Sequence, residues 1–218
     1  MAAPEPSRRV HVVHVVTTLV PGGTERMLQR VVLATRPLGI DATVVSLTDG
    51  GAVADELQAA GVAVHSLGMG RAGVVPDPRG LPRLVALLRA HRPDVVQGWM
   101  YHANLLAGLA APLAGLPRAL WGIRAASVPT GRERRRTIAT AAVAARLARL
   151  LARGILVNGT RARDTHVAQG YPRERFTVIP NGYDLARWRP DAAARASVRA
   201  ELGLAADAEE EAIWRSLS

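Results

Sequence analysis

Residues 10–39 read VHVVHVVTTLVPGGTERMLQRVVLATRPLG. Val10–Val16 is a short β-branched run that suits a strand buried on both faces. The run ends at Thr17–Thr24, and the stretch from Glu25 reads as a helix stopped by Pro37 and Gly39. Between the two stands PGGT, Pro21–Thr24. Gly22 and Gly23 carry no side chain, so the backbone there can approach a ligand and offer N–H groups with a helix N-terminus behind them. A plain tight turn uses the same residues, and the absence of GKS or GKT excludes a Walker loop.

The same alternation continues along the chain. Asp41–Leu47 (DATVVSL) is a second strand, AVADELQAAG a short helix and VAVHSL a third strand. MGRAGVVPDPRG is a loop by its Gly and Pro content. LPRLVALLRAHRPD is an amphipathic helix that leads into the strand DVVQG, residues 103–114 are helical, and RALWGI is the next strand. A long Arg/Ala/Leu helix covers roughly 133–152, after which GILVN, TRARDTHVAQG and RFTVIP form strand, helix and strand. Strands alternating with helices of this length specify an α/β fold, a doubly wound, Rossmann-like parallel sheet with helices on both faces. The expected domain is 8–186, with 187–218 a linker and tail.

Composition sets bounds on function. The 218 residues are 49% hydrophobic and only 4% aromatic, so the core is aliphatic and globular. No cysteine occurs, which excludes a disulfide scaffold and a thiol nucleophile and fits a reducing cytoplasm. Net charge is +10 and all of it is arginine. That reflects either a GC-rich coding bias or attraction to an anionic partner such as a diphosphate or an acidic membrane. The N-terminal apolar run is broken by His11 and His14 and lacks a small-x-small cleavage site, so it does not read as a signal peptide. No stretch approaches the ~20 apolar residues that span a bilayer.

Several motifs compete for chemistry. GMGRAG (Gly68, Gly70, Gly73) fits a dinucleotide fingerprint, but Pro76 and Pro78 forbid the helix that must follow it. QGWMYHAN (Gln97–Asn104) sits at the carboxyl end of a strand, where open α/β sheets bind ligands. Trp99, Tyr101, His102 and Asn104 there suit sugar rings, or are ordinary buried aromatics and polar groups. WGIRAAS repeats the arrangement one strand later, and its Arg124 can bind phosphate or carboxylate bidentately. GRERRR with Arg146, Arg149 and Arg153 reads either as a lipid-facing basic helix or as a solvated face. Asn158-Gly159-Thr160 matches a glycosylation sequon that has no meaning without secretion. No metal-ligand spacing, Ser/His/Asp pattern or nucleic-acid motif stands out.

Taken together, VVHVVTTLVPGGTERML, PDVVQGWMYHANLLAGLAA, ALWGIRAAS and ILVNGTRARDTHVAQGYPRERFTVIPNGYDLARWRPD resemble the N-terminal domain of family-4 glycosyltransferases of the GT-B fold, over roughly residues 8–204. The resemblance implies a two-domain, retaining enzyme of surface-polysaccharide assembly. This half would hold a glycan or lipid-linked acceptor, and a C-terminal half would hold the nucleotide-sugar, a co-substrate in a reaction without metal or other cofactor. By the same resemblance, Gly22, Gly23 and Thr24 lie against the donor diphosphate. Trp99, Tyr101, Asn104 and Ser127 line the acceptor side, and Asn181, Gly182 and Asp184 form the hinge. Many members carry histidine where this chain has Arg124, so the catalytic positions fall to Arg124 and His102. The resemblance also implies a cytoplasmic protein, with anionic membrane as a peripheral contact and no nucleic-acid partner. The expected donor-domain residues do not follow Leu204, so the chain reads as inactive alone, either a truncated gene product or one member of a split pair with a separate donor-domain chain. The alternative reading is a non-catalytic acceptor-binding or regulatory module.

Overall fold

The computed structural model describes residues 8–70, 77–126, 135–183, 185 and 189–204. It divides into two compact units, Met1–Asn181 and Gly182–Ser218. The described residues of the first unit hold seven strands: β1 (Val10–Val16), β2 (Ile40–Ser46), β3 (Ala63–Ser66), β4 (Val95–Trp99), β5 (Ala119–Ile123), β6 (Ala152–Val157) and β7 (Phe176–Val178). Between them run α1 (Gly23–Thr35), α2 (Ala52–Ala59), α3 (Gly80–His91), α4 (Met100–Leu113), α5 (Arg135–Leu151) and α6 (Thr160–Ala168). In the second unit, α7 (Ala192–Glu201) starts at Asp191, whose carboxylate accepts from the Ala194 N–H at 2.9 Å.

The sheet order is β3-β2-β1-β4-β5-β6-β7, and every pair is parallel. The doubly wound expectation therefore holds. Parallel strands need coverage on both faces, and the sequence supplies it. Val13, Val15 and Val45 pack with Leu84 and Leu88 of α3 and Ala103 and Ala107 of α4. Val16 and Val44 belong to the other face, with Leu28 and Val32 of α1 and Val53 and Leu57 of α2.

Few aromatics fill this core, so small residues bring the backbones close together. Ala107, Ala110 and Ala111 of α4 are buried in the same cluster as Ala141, Ala144, Ala145 and Ala148 of α5. A Cβ on Gly98 of β4 would stand 2.6 Å from the Asn104 Cα, so only glycine lets α4 fold straight back over its own strand.

Strand order reverses between β1 and β4. Ligands of open α/β sheets bind in the crevice outside the carboxyl ends at such a switch point. The register puts those ends level, with Val16 beside Trp99 and Trp99 beside Gly122.

Candidate active site

Two glycine-rich stretches shape the β1 side. The loop after β1 is pinned by the loop after β2: Thr17 O accepts from the Thr48 N–H at 3.3 Å and Leu19 O from the Val53 N–H at 3.1 Å. Gly51, at φ +119, is pressed against the Leu19 backbone, where no side chain fits. The β1 loop then enters α1 with Gly22 as an extended N-cap that makes no side-chain cap bond. Any residue could adopt that backbone, so conformation is not what demands glycine at position 22. A Cβ there would lie 2.5 Å from Glu25 Oε2, whereas a Cβ on Gly23 would meet open space. Glu25, which the sequence reading left unassigned, therefore folds its carboxylate over Gly22 at the positive end of α1. Burial pushes that carboxyl above its ordinary pKa.

On the β4 side three of the four expected acceptor-lining residues are corrected. Trp99 and Tyr101 are each 1% exposed, and so is Asn104, so none of them offers a face to a sugar. α4 begins at Met100, directly after the strand and three residues earlier than the sequence suggested, which turns these side chains into the core. Asn104 serves β5 instead: its Nδ2 donates to Gly122 O at 3.1 Å, and its Oδ1 accepts from the Gly122 N–H at 3.2 Å. The Tyr101 hydroxyl lies 2.8 Å from His166 Nε2. His166 Nδ1 faces the Ala162 carbonyl, which can only accept, at 2.7 Å; the proton therefore sits on Nδ1 and Nε2 accepts from the tyrosine. Trp99 Nε1 donates to His14 Nδ1 at 3.2 Å, and burial lowers the His14 pKa to about 4. Met100 sits at φ +68, a conformation that costs a non-glycine residue on the order of 1–2 kcal/mol.

Arg124 lies at the carboxyl end of β5. Its backbone N–H donates to Met100 Sδ at 3.2 Å, which ties β5 to the strained corner after β4. Its guanidinium carbon stands 5.2 Å over the Trp99 ring, a cation–π contact. Nη1 donates to Asn181 Oδ1 at 2.9 Å. Nε is buried and finds no acceptor among the described residues. Loss of solvation lowers the Arg124 pKa from its ordinary value, yet guanidinium keeps its charge at any physiological pH. His14, Trp99, Arg124 and Asn181 thus form one chain of contacts from β1 across β4 and β5 to the segment after β7.

The other predicted site residues divide. His102 is half-buried, and burial lowers its pKa, which favours neutral imidazole. Thr24 is half-buried, Gly23 and Gly182 are exposed, and Asn181 is half-buried. Ser127 and Asp184 lie outside the described residues. Given the level strand ends, β1 and β5 are two strand spacings apart, about 10 Å, so the Gly22 loop and Arg124 lie on either side of β4 at the carboxyl edge of the sheet. A cavity of about 340 Å³ lined by Asp94, Arg118 and Arg153 opens at the opposite, amino end of β4 and β5, away from the switch point. Among the described residues no cluster of His, Asp and Glu could hold a metal ion.

The fold is a Rossmann-like, doubly wound α/β domain. Residues 21–187 match the Glycosyltransferase Family 4 profile, and the chain belongs to that family. No curated protein sequence matches it. Among solved structures it is similar to Anabaena HepE in complex with UDP, at 18% identity and a TM-score of 0.67 over 89% of this chain and 50% of that one. A glycosyltransferase from Rickettsia africae aligns at 14% identity and a TM-score of 0.61, over 91% of this chain and 51% of its own. The lipopolysaccharide outer core galactosyltransferase WaaB aligns at 12% identity and a TM-score of 0.59, over 81% of this chain and 47% of its own. The chain spans about half the length of the solved structures it matches, and its fold is that of the N-terminal half of a GT-B enzyme.

Proposed function

We propose that this chain is the acceptor-side half of a retaining glycosyltransferase that moves a sugar from a nucleotide-sugar to a glycan or lipid-linked acceptor in surface-polysaccharide assembly. The carrying observation is Arg124, a half-buried cation with an unmet donor at the carboxyl ends beside the strand-order switch. Family membership and the UDP and UDP-glucose bound to HepE support a nucleotide-sugar donor. In this reading the Gly22–Thr24 loop meets the donor diphosphate. Arg124 stabilises negative charge as the leaving diphosphate departs, and neutral His102 is available to the acceptor hydroxyl.

Transfer requires donor and acceptor held in line. The purified chain alone should therefore give no product from UDP-glucose or GDP-mannose and a lipid-linked acceptor. Adding a separately produced donor half from a family relative should restore transfer. Product from the chain alone would refute the division of labour. Saturable acceptor binding, with no transfer under any pairing, would favour a non-catalytic module.

The proposal extends to the cytoplasmic membrane face. α5 exposes Ile138, Val143 and Leu150 together with Arg146 and Arg149, and such a face suits peripheral contact with anionic lipid. Co-sedimentation with phosphatidylglycerol vesicles should disappear at high salt; binding indifferent to lipid charge would contradict this contact.

A further inference from the structure

We propose that Arg124 captures an oxyanion, a phosphate or carboxylate group of the ligand, on its Nε–Nη2 edge, and that Asn181 positions the guanidinium for this by holding Nη1. The proposal rests on the reading of these strand ends as the ligand side of a transferase half. It does not depend on turnover.

Guanidinium geometry carries the argument. The group has five N–H donors in a rigid plane, and the Nε and Nη2 donors point together as a fork that fits two oxygens. Nη1, on another edge of the same plane, donates to Asn181 Oδ1 at 2.9 Å. Trp99 supports the flat face, with the guanidinium carbon 5.2 Å over its ring. Two directions are thus fixed by the protein, while Nε lies buried with no acceptor among the described residues. A buried donor left unpaired is costly, and an incoming oxyanion removes that cost. Lysine, a point charge without a fork, could not be held in this way.

The surroundings also argue against a neutral sugar as the recognised group. Sugar rings are gripped by exposed aromatic faces. Here Trp99 and Tyr101 are 1% exposed, and Arg124 already covers the indole. The nearest aromatic neighbour thus belongs to the cation and is closed to the ligand. Asn181 is also the last residue of the first unit.

The test is calorimetry on the whole chain with inorganic pyrophosphate, glucuronate, UDP and, as the neutral control, glucose. Pyrophosphate or glucuronate should bind saturably and glucose should not. Arg124→Gln should weaken binding roughly tenfold or more, and Arg124→Lys by an intermediate factor. Asn181→Asp is the decisive variant, because its carboxylate neutralises the guanidinium from within. It should lower affinity as far as Arg124→Gln does, with circular dichroism unchanged. Preference for pyrophosphate assigns the site to a phosphate group, and preference for glucuronate assigns it to a uronic-acid acceptor. UDP tighter than pyrophosphate places the phosphate on the donor. As a readout independent of affinity, the Arg124 Nε–H resonance should shift on titration with the oxyanion. Glucose binding as well as the anions, or anion affinity unmoved by Arg124→Gln and Asn181→Asp, would overturn the proposal. A chain that binds pyrophosphate through Arg124 but transfers no sugar with any donor half keeps this inference and loses the transferase reading.

Discussion

Glu25 shows how a single side chain can set the chemistry of a loop. The Gly22-Gly23 turn invites an anion by its amides and by the helix behind it, yet the Glu25 carboxylate already lies over Gly22 at that end. A diphosphate arriving there meets like charge, moderated because burial already favours the protonated carboxyl. Glu25→Gln should therefore raise pyrophosphate affinity several-fold, by removing about 1 kcal/mol of repulsion. The gain should be largest at high pH, where the wild-type carboxylate is fully charged, and should shrink as acidification protonates Glu25. Equal affinity in the two proteins across pH 5–8 would mean that the anion does not approach α1. Sequence alone put the glycine loop after the first strand and Arg124 at a strand end but passed over Glu25, since nothing in GGTER tells a carboxylate turned back over glycine from one in solvent. Trp99, Tyr101 and Asn104 went the other way. Their residue types suit sugar recognition, and type carries no record of burial.

At the scale of elements, the missed helix start explains that error. α4 begins at Met100 with no side-chain cap on Trp99, so the usual start signal is absent and the sequence reading began the helix only at residue 103. Taken as helix, Tyr101, Asn104, Ala107, Gly108 and Ala111 fall at helical spacing, and all five are buried; that periodicity was the available clue. The strands and their parallel pairing were far more legible, because β-branched runs and alternating helices have few other interpretations. What makes the early start possible is Gly98. A Cβ there meets backbone of α4, 2.6 Å from Asn104 Cα and 2.9 Å from Ala103 O, and neither atom can rotate away. Gly98→Ala should cost about 3 kcal/mol in urea denaturation, loosening the Asn104–Gly122 pair and with it the corner that carries Met100 and Arg124. Gly23→Ala, which adds a methyl to open space, serves as the control and should stay within about 0.5 kcal/mol. Equal costs for the two would mean that α4 does not pack on β4 as described.

Across the whole molecule, burial of neutral imidazole links stability to pH. Desolvation lowers the pKa of His14 to about 4 and also lowers those of His91, His102 and His166. Each group resists protonation in the fold, while the unfolded chain takes up protons near the ordinary value of about 6.5. The unfolded state therefore binds more protons between those two limits, and stability must fall as pH drops through that window. Above about pH 7 both states are neutral at these sites and the dependence should be flat. Carboxylates that arginines hold below their usual range, Asp41 beside Arg9 and Asp164 beside Arg163, act in the same direction at lower pH, and they are solvent-exposed ion pairs of small individual effect. The early loss, between pH 6.5 and 5, thus belongs to the histidines. His14 alone should contribute on the order of 3 kcal/mol of loss by pH 4, and its protonation also removes the acceptor of the Trp99 N–H that supports Arg124 from below. Urea midpoints from pH 8 to 5 should be level at first and then decline, and His14→Gln should reduce the slope by about one proton. A midpoint that stays level down to pH 5 would show that these imidazoles are solvated, and the contact chain from β1 to Asn181 would lose its foundation.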